Sequence, residues 1–325
     1  MEIKLTDDFN EKIRIGEGIV TERKSIYNDE LIEQLCNELS KCNSIILEKL
    51  GGVRSAFFLS VYDYWLIGSN AKEEIYLGLY EMSNKQKAEY VTHIGRLDYV
   101  RSINRADDEV LLRNKFLAYE KLKDYYHREV RILPADGYAM CREFIDNYGS
   151  CVIKPNEGSV SIGVRRISKD DICGDEKSFE RMLKECSEEM KNTAWLKGEN
   201  LLIEEEIKQS EKLAYLHPQS LNSVRITTVR TKTGINIFYP VIRIGVGGNF
   251  LCAGAVGSII AGIDKNGNVC TDGYDEFGNH FIEHPDTHIV FKEISIPDWD
   301  KLTNMAQEVA ELFPTLNYAG WDIGV

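Results

Sequence analysis

Apolar positions recur at helical spacing through the first third of the chain and in short β-type runs through most of the remainder. Over residues 29–50, Leu31, Ile32, Leu35, Leu39, Ile46, Leu47 and Leu50 mark one helix face, and Gly51-Gly52 stop it. Tyr62 to Tyr80 is rich in aromatic residues, which suits core packing. Ser83 to Asn104 reads as a helix with Ser83 at its N-cap. A further helix runs from Asn114 to Lys123, followed by a strand and turn from Arg131 to Gly137. Strands are expected at 151–154, 162–167 and 200–207, with a helix at 177–193 before the third. Three β-rich segments follow at 223–231, 236–245 and 256–264, divided by Lys232-Thr-Gly234 and Gly245-Val-Gly247-Gly248. Asp264-Lys-Asn-Gly267 is a hairpin turn. Pro297-Asp298-Trp299 opens a last helix over Lys301 to Leu312, and Tyr318 to Val325 reads as a final strand. Antiparallel hairpins mixed with helices place the chain in the α+β class rather than among parallel βαβ arrays.

Composition narrows the partners. A formal charge of −13 argues against a nucleic-acid binder, which needs a concentrated basic face, but leaves room for a nucleotide in a locally basic cleft. The eight cysteines are scattered with no CxxC pair, as expected for reduced thiols. Neither a membrane span nor the apolar core of a signal peptide is evident, so a soluble cytoplasmic protein without membrane insertion is expected.

Candidate chemistry begins at Cys151-Val-Ile-Lys154-Pro-Asn-Glu-Gly158-Ser159-Val-Ser161-Ile-Gly163-Val164. A strand ending in lysine, a small-residue loop and a second strand can lay backbone N–H groups and one ammonium over a polyphosphate. The same pattern also fits an ordinary glycine hairpin with a surface lysine. Leu201-Leu-Ile-Glu204-Glu205-Glu206-Ile207 is a strand ending in three acids, with Glu204 and Glu206 on one face and Glu205 on the other. It suits either a hinge strand offering its backbone to adenine or a solvated acidic rim. Arg225 and Arg243, eighteen residues apart on neighbouring β-rich segments, suit a developing phosphoryl charge or surface ion pairs. Asp322 is a lone carboxylate in an apolar terminal strand, a setting in which aspartate is paired or binds a metal. His284-Pro285-Asp286 reads as a turn whose histidine hydrogen-bonds within a loop.

The succession Lys115, Lys154 with its glycine loop, Glu204 to Ile207, Arg225, Arg243 and Asp322 resembles the ATP-grasp superfamily. His217-Pro218-Gln-Ser-Leu-Asn222-Ser-Val-Arg225, His284-Pro285-Asp286-Thr287, Ile296-Pro297-Asp298-Trp299 and Gly320-Trp321-Asp322-Ile323 look most like its sugar-transfer-associated branch. The resemblance covers about 90–325. It implies an ATP-grasp fold, two α+β subdomains clasping ATP, preceded by a mainly helical N-terminal region. The expected division is 1–110 helical, 111–206 small subdomain with the phosphate loop, and 207–325 large subdomain.

The resemblance further implies residue roles. Lys115 and Lys154 contact the nucleotide phosphates, and Gly158, Ser159 and the loop to Gly163 fold over them. The strand from Glu204 borders the nucleotide, with the Glu205 and Ile207 backbone at adenine and Glu211 at the ribose. Arg225 and Arg243 steady the γ-phosphate and an acyl phosphate, while Asp322 binds Mg2+. The implied activity is an ATP-dependent ligase joining small-molecule carboxylate and amine substrates, sugar- or peptide-linked, in surface polysaccharide or amino-acid conjugate synthesis. A catalytically weak ATP-binding accessory protein of a polysaccharide system is the alternative. Two departures stand out. The family's Asp-Asn and Gly-Gly pairs are replaced by Cys252-Ala253 and Gly257-Ser258, and Val325 ends the sequence before the Glu-x-Asn that usually completes the magnesium site. The second departure implies either a truncated chain or a site with one of three usual ligands.

Overall fold

Helical spacing in the first third does give helices, but shorter ones than the periodicity suggests. The computed structural model describes residues 3–134, 137–158, 162–172, 176–191, 200–250, 252 and 257–325. The expected helix over 29–50 is two, Asp29–Leu39 and Ser44–Lys49, because the Asn43 side chain accepts from the Ile45 and Ile46 N–H groups and starts the second afresh. Ser83 caps as expected, in a capping box with Gln86, yet its helix is only Asn84–Lys87, and His93–Ile103 is separate. The aromatic run lies partly in helix Val53–Ile67, whose Phe57, Phe58 and Tyr62 are buried.

The chain forms two compact units, Met1–Ile103 with Asp272–Ile282, and Asn104–Thr271 with Glu283–Val325. In the first unit, Ile19, Leu39, Leu50, Ala56, Phe57 and Leu59 form a core against which Phe277 of the later segment packs. Beside it lies a wholly buried ionic group in which Lys87 pairs with Asp63 and stands 3.5 Å from Glu74.

The described strands are β1 (Val130–Leu133), β2 (Ser150–Pro155), β3 (Arg165–Ser168), β4 (Leu201–Glu205), β5 (Ser223–Thr231), β6 (Gly234–Ile244), β7 (Ile259–Gly262), β8 (Gly273–Tyr274), β9 (His280–Phe281) and β10 (Tyr318–Gly324). The second unit holds two antiparallel sheets, β1-β4-β2-β3 and β10-β5-β6-β7. One face of the first sheet, carrying Cys151, Ile153 and Ile203, packs with Phe144, Cys141 and Phe179 of helices Tyr138–Tyr148 and Glu176–Lys191. Alternation then turns Val152, Lys154, Leu202 and Glu204 to the other face, where Tyr119, Val130 and Leu202 pack together. In the second sheet Val224, Ile226, Ile242, Ile244 and Ile259 are buried, and helix Trp299–Glu311 packs on β5, β6 and β10. The opposite face is left to Arg225, Arg243 and Asp322, because Asp322 is opposite Arg225 and Ser223 is opposite Arg243.

Candidate nucleotide site

The strand, glycine loop and strand read from 151–167 form a hairpin, with Cys151 opposite Ile167 and Ile153 opposite Arg165. Gly158 and Gly163 have φ of +121° and +72°, values that L side chains rarely adopt, which explains glycine at both places. Ser159 lies outside the described residues. The lysines serve this hairpin differently. Lys115 donates its ammonium to the carbonyls of Pro155 (3.1 Å), Asn156 (3.3 Å) and Gly158 (3.0 Å), tying the root of the loop to helix Lys115–Lys121. Lys154 instead lies 2.7 Å from Glu204 Oε2 on β4.

Arg128 completes that cluster. Its Nε and Nη2 each donate to Glu204 Oε2 at 3.3 Å, and its guanidinium lies over the Tyr126 ring at 4.3 Å. Two cations on one largely buried carboxylate leave a surplus of one positive charge. Burial drives the Lys154 ammonium below the ordinary lysine range, which the facing carboxylate offsets only in part and Arg128 reinforces. Burial pushes Glu204 up, but Lys154 and Arg128 outweigh it and hold the carboxyl below its usual range. Glu206 shares the Glu204 face, as strand alternation requires, and meets Arg166 at 2.7 Å. Glu205 donates its N–H to the Glu129 carbonyl at 3.0 Å. Glu211 sits in the first turn of helix Glu211–Ala214, behind a Ser210 cap.

On the second sheet Asp322 bridges both arginines, with Arg225 at 2.7 Å and Arg243 at 3.4 Å. All three side chains are a third to a half exposed. A Cβ on Gly320 would stand 2.6 Å from Arg225 Nε, so the missing side chain is what lets the guanidinium lie across β10. Burial pushes the Cys252 thiol up to about 11, opposed by Arg243, so it is protonated at neutral pH. Ala253 lies outside the described residues. Among the described residues no group of three or more His, Cys, Asp or Glu side chains is arranged to hold a metal ion.

Sequence reasoning missed Arg128 and Asn156. Arg128 lies two residues ahead of Val130, which is opposite Glu204, a proximity visible only once the β1–β4 register is known. Asn156 is buried, accepts the Phe116 N–H on its side chain and the Lys115 N–H on its carbonyl, and so fixes the helix that carries Lys115. Its place directly after Lys154-Pro155 was the available signal.

Residues 96–325 match the sugar-transfer associated ATP-grasp family. The chain belongs to that family, and its α+β architecture is an ATP-grasp fold behind a helical N-terminal region. Solved structures are distant. An ATP-grasp ligase, PsnB, complexed with a minimal precursor is 14% identical, aligned over 68% of this chain and 49% of its own, with a TM-score of 0.36. N5-carboxyaminoimidazole synthase from Aspergillus clavatus, in complex with ADP and 5-aminoimidazole ribonucleotide, is 14% identical over 72% and 47%, with a TM-score of 0.40. D-cycloserine synthetase DcsG is 14% identical over 73% and 66%, with a TM-score of 0.36. The chain thus spans about half the length of the first two. No curated protein matches it. No helix among the described residues is long and apolar enough to cross a membrane.

Proposed function

We propose that the chain is an ATP-dependent carboxylate–amine ligase that works through an acyl phosphate. One observation carries this reading beyond family membership. In a chain of net charge −13, each sheet of the second unit holds one carboxylate bracketed by two cations, Lys154–Glu204–Arg128 and Arg225–Asp322–Arg243. Surplus positive charge at both places is what a bound polyphosphate needs.

In this reading the subdomains 111–206 and 207–325 are the two halves of an ATP clasp. Lys154 meets the phosphates beneath the glycine hairpin, and Lys115 holds the root of that loop in place. Because Glu205 has already given its N–H to Glu129, adenine is met by the Glu205 carbonyl and the Ile207 N–H, with Glu211 at the ribose. Asp322 is a hard oxygen donor, and one carboxylate together with phosphates suits Mg2+, which when bound supplies charge neutralisation there.

The substrate carboxylate oxygen attacks the γ-phosphorus as the bond to the β,γ-bridging oxygen breaks, and ADP leaves. Arg225 and Arg243 turn from Asp322 to the transferring phosphoryl oxygens and then hold the acyl phosphate. An amine adds at the acyl carbon, phosphate departs, and the amine proton leaves with it or passes to solvent. Positioning and charge suffice, and no side-chain nucleophile is required. The substrates are small carboxylates and amines, sugar- or peptide-linked, and the setting is surface polysaccharide or conjugate synthesis in the cytoplasm.

A screen of candidate acids and amines for ADP release, with mass spectrometry of products, tests the proposal. Acid-dependent ADP release with an amide product is expected. ATP binding without turnover on any pair would favour the second reading, an accessory ATP-binding protein, which the grouping of one carboxylate with two arginines at the metal position also suits.

A further inference from the structure

Just beyond Arg243, both polar groups of one peptide residue are held by buried side chains. The Gly245 N–H donates to Asn222 Oδ1 at 3.2 Å, and the Gly245 carbonyl accepts from His284 Nε2 at 2.8 Å. A carbonyl can only accept, so His284 carries its proton on Nε2. Its Nδ1 is then an acceptor, taking the N–H groups of Asp286 (3.3 Å) and Thr287 (3.4 Å). Asn222 is fixed in turn by donating to Gln209, Leu213 and His217. His217 presses from the side, bonded to Ser220 Oγ at 2.9 Å and accepting the Gly248 N–H at 3.4 Å. Asn222, His217 and His284 are all 1% exposed or less. A Cβ on Gly245 would stand 2.0 Å from Ser220 Oγ and 2.9 Å from His217 Nδ1, so only glycine fits between them.

This clamp is joined to both site arginines. Asn222 leads into β5 three residues before Arg225, and Gly245 directly follows β6, two residues after Arg243, which is opposite Ser223. We propose that His284 is a positioning residue for Arg243, holding the end of β6 through the Gly245 carbonyl so that the guanidinium meets the terminal phosphate in register. The inference rests on the reading that Arg243 contacts the γ-phosphate.

Two substitutions separate the two ends of the imidazole. His284→Asn keeps an acceptor at the Nδ1 place for the 286 and 287 N–H groups but loses the donor to Gly245. His284→Gln keeps a donor near the Nε2 place and loses the turn acceptor. The readout is the ratio of affinities for a non-hydrolysable ATP analogue and ADP, by calorimetry, with Arg243→Ala alongside. His284→Asn and Arg243→Ala are both expected to reduce the preference for the triphosphate, His284→Asn by about tenfold, as weakening one charge-assisted contact does. His284→Gln is expected to keep it. An unchanged ratio in His284→Asn with a collapsed one in Arg243→Ala overturns the positioning role alone. An unchanged ratio in Arg243→Ala removes Arg243 from the γ-phosphate, and the inference falls with it. Should His284→Asn fail to fold, loss of the preference in His284→Gln overturns the proposal and its retention supports it.

Discussion

Replacing Lys154 by methionine separates what the buried cluster does for the fold from what it does for the ligand. Lys154 lies 2.7 Å from Glu204 Oε2, and Arg128 approaches the same oxygen at 3.3 Å. Breaking a buried ion pair from one side costs roughly 3–5 kcal/mol when the other charge is left alone. Glu204 keeps Arg128 here, and the three side chains retain 10–17% of their exposure, so about 2–3 kcal/mol is expected in urea unfolding. Glu204 still faces Arg128 in that variant, so adding Glu204→Gln takes away the guanidinium's partner and should lower stability further rather than restore it. ATP affinity should follow a different pattern, falling in both variants by about 2 kcal/mol or more, some thirtyfold in Kd. The pH dependence has a defined sign. Glu204 is held below its unfolded value, so its contribution is present above about pH 4.3 and is lost as pH falls through the folded value. The stability gap between wild type and Lys154→Met should therefore narrow on acidification below pH 4. Unchanged ATP affinity in the single variant would remove Lys154 from the phosphate site. A double variant more stable than the single would refute the continued pairing of Glu204 with Arg128.

Gly320→Ala should displace the Arg225 guanidinium, whose Nε would lie 2.6 Å from the new Cβ, and lower ADP release about tenfold or more. Because a flexible side-chain end is what yields, stability should change by less than about 1 kcal/mol; equal turnover in both proteins would refute the packing argument. Glu74 is fully buried, and burial, with Asp63 beside it, raises its carboxyl well above the usual range. Its favourable contribution is full below about pH 4.3 and declines as pH rises through the folded value, by up to about 1.4 kcal/mol per pH unit. Glu74→Gln should flatten the stability–pH curve above about pH 4.3, and parallel curves would show that Glu74 folds ionised. Cys252→Ser should leave ADP release within about twofold, since the thiol is protonated and the chemistry needs no side-chain nucleophile; abolished turnover would overturn that mechanism.

Short-range signals in the sequence translated well. The Ser83 cap, the 151–167 hairpin, the Glu204/Glu206 face and the last helix, observed as Trp299–Glu311, rest on neighbours within a few residues. Helix lengths were overestimated where an internal cap competed, because Asn43 offers the backbone a new start in mid-pattern. Partnerships made by register were hidden. Nothing local links Arg128 to Glu204, or His284 to Gly245, thirty-nine residues away. Arg225, Arg243 and Asp322 stand far apart in the sequence, and their convergence depends on how β10, β5 and β6 align.

Carboxylates at both places keep the neighbouring cations gathered. An arginine or lysine left alone on a sheet face would fold against whichever of the chain's many acids lay nearest, and a nucleotide would then have to reorganise it. Glu204 and Asp322 instead hold two cations each at fixed positions on paired strands, so the charges are already gathered. The two carboxylates are not equivalent. Glu204 is 10% exposed and its partners come from β2 and the segment before β1, so pulling Lys154 away entirely would break a largely buried contact that water cannot readily replace, although Arg128 stays. Lys154 is therefore expected to share its ammonium between Glu204 and a phosphate. Asp322 is 47% exposed, so water can take over when its arginines turn away, and exchange of partners is cheap. In the proposed ligase reading, this difference in burial suits the first cluster to static binding and the second to groups that move as phosphoryl transfer proceeds.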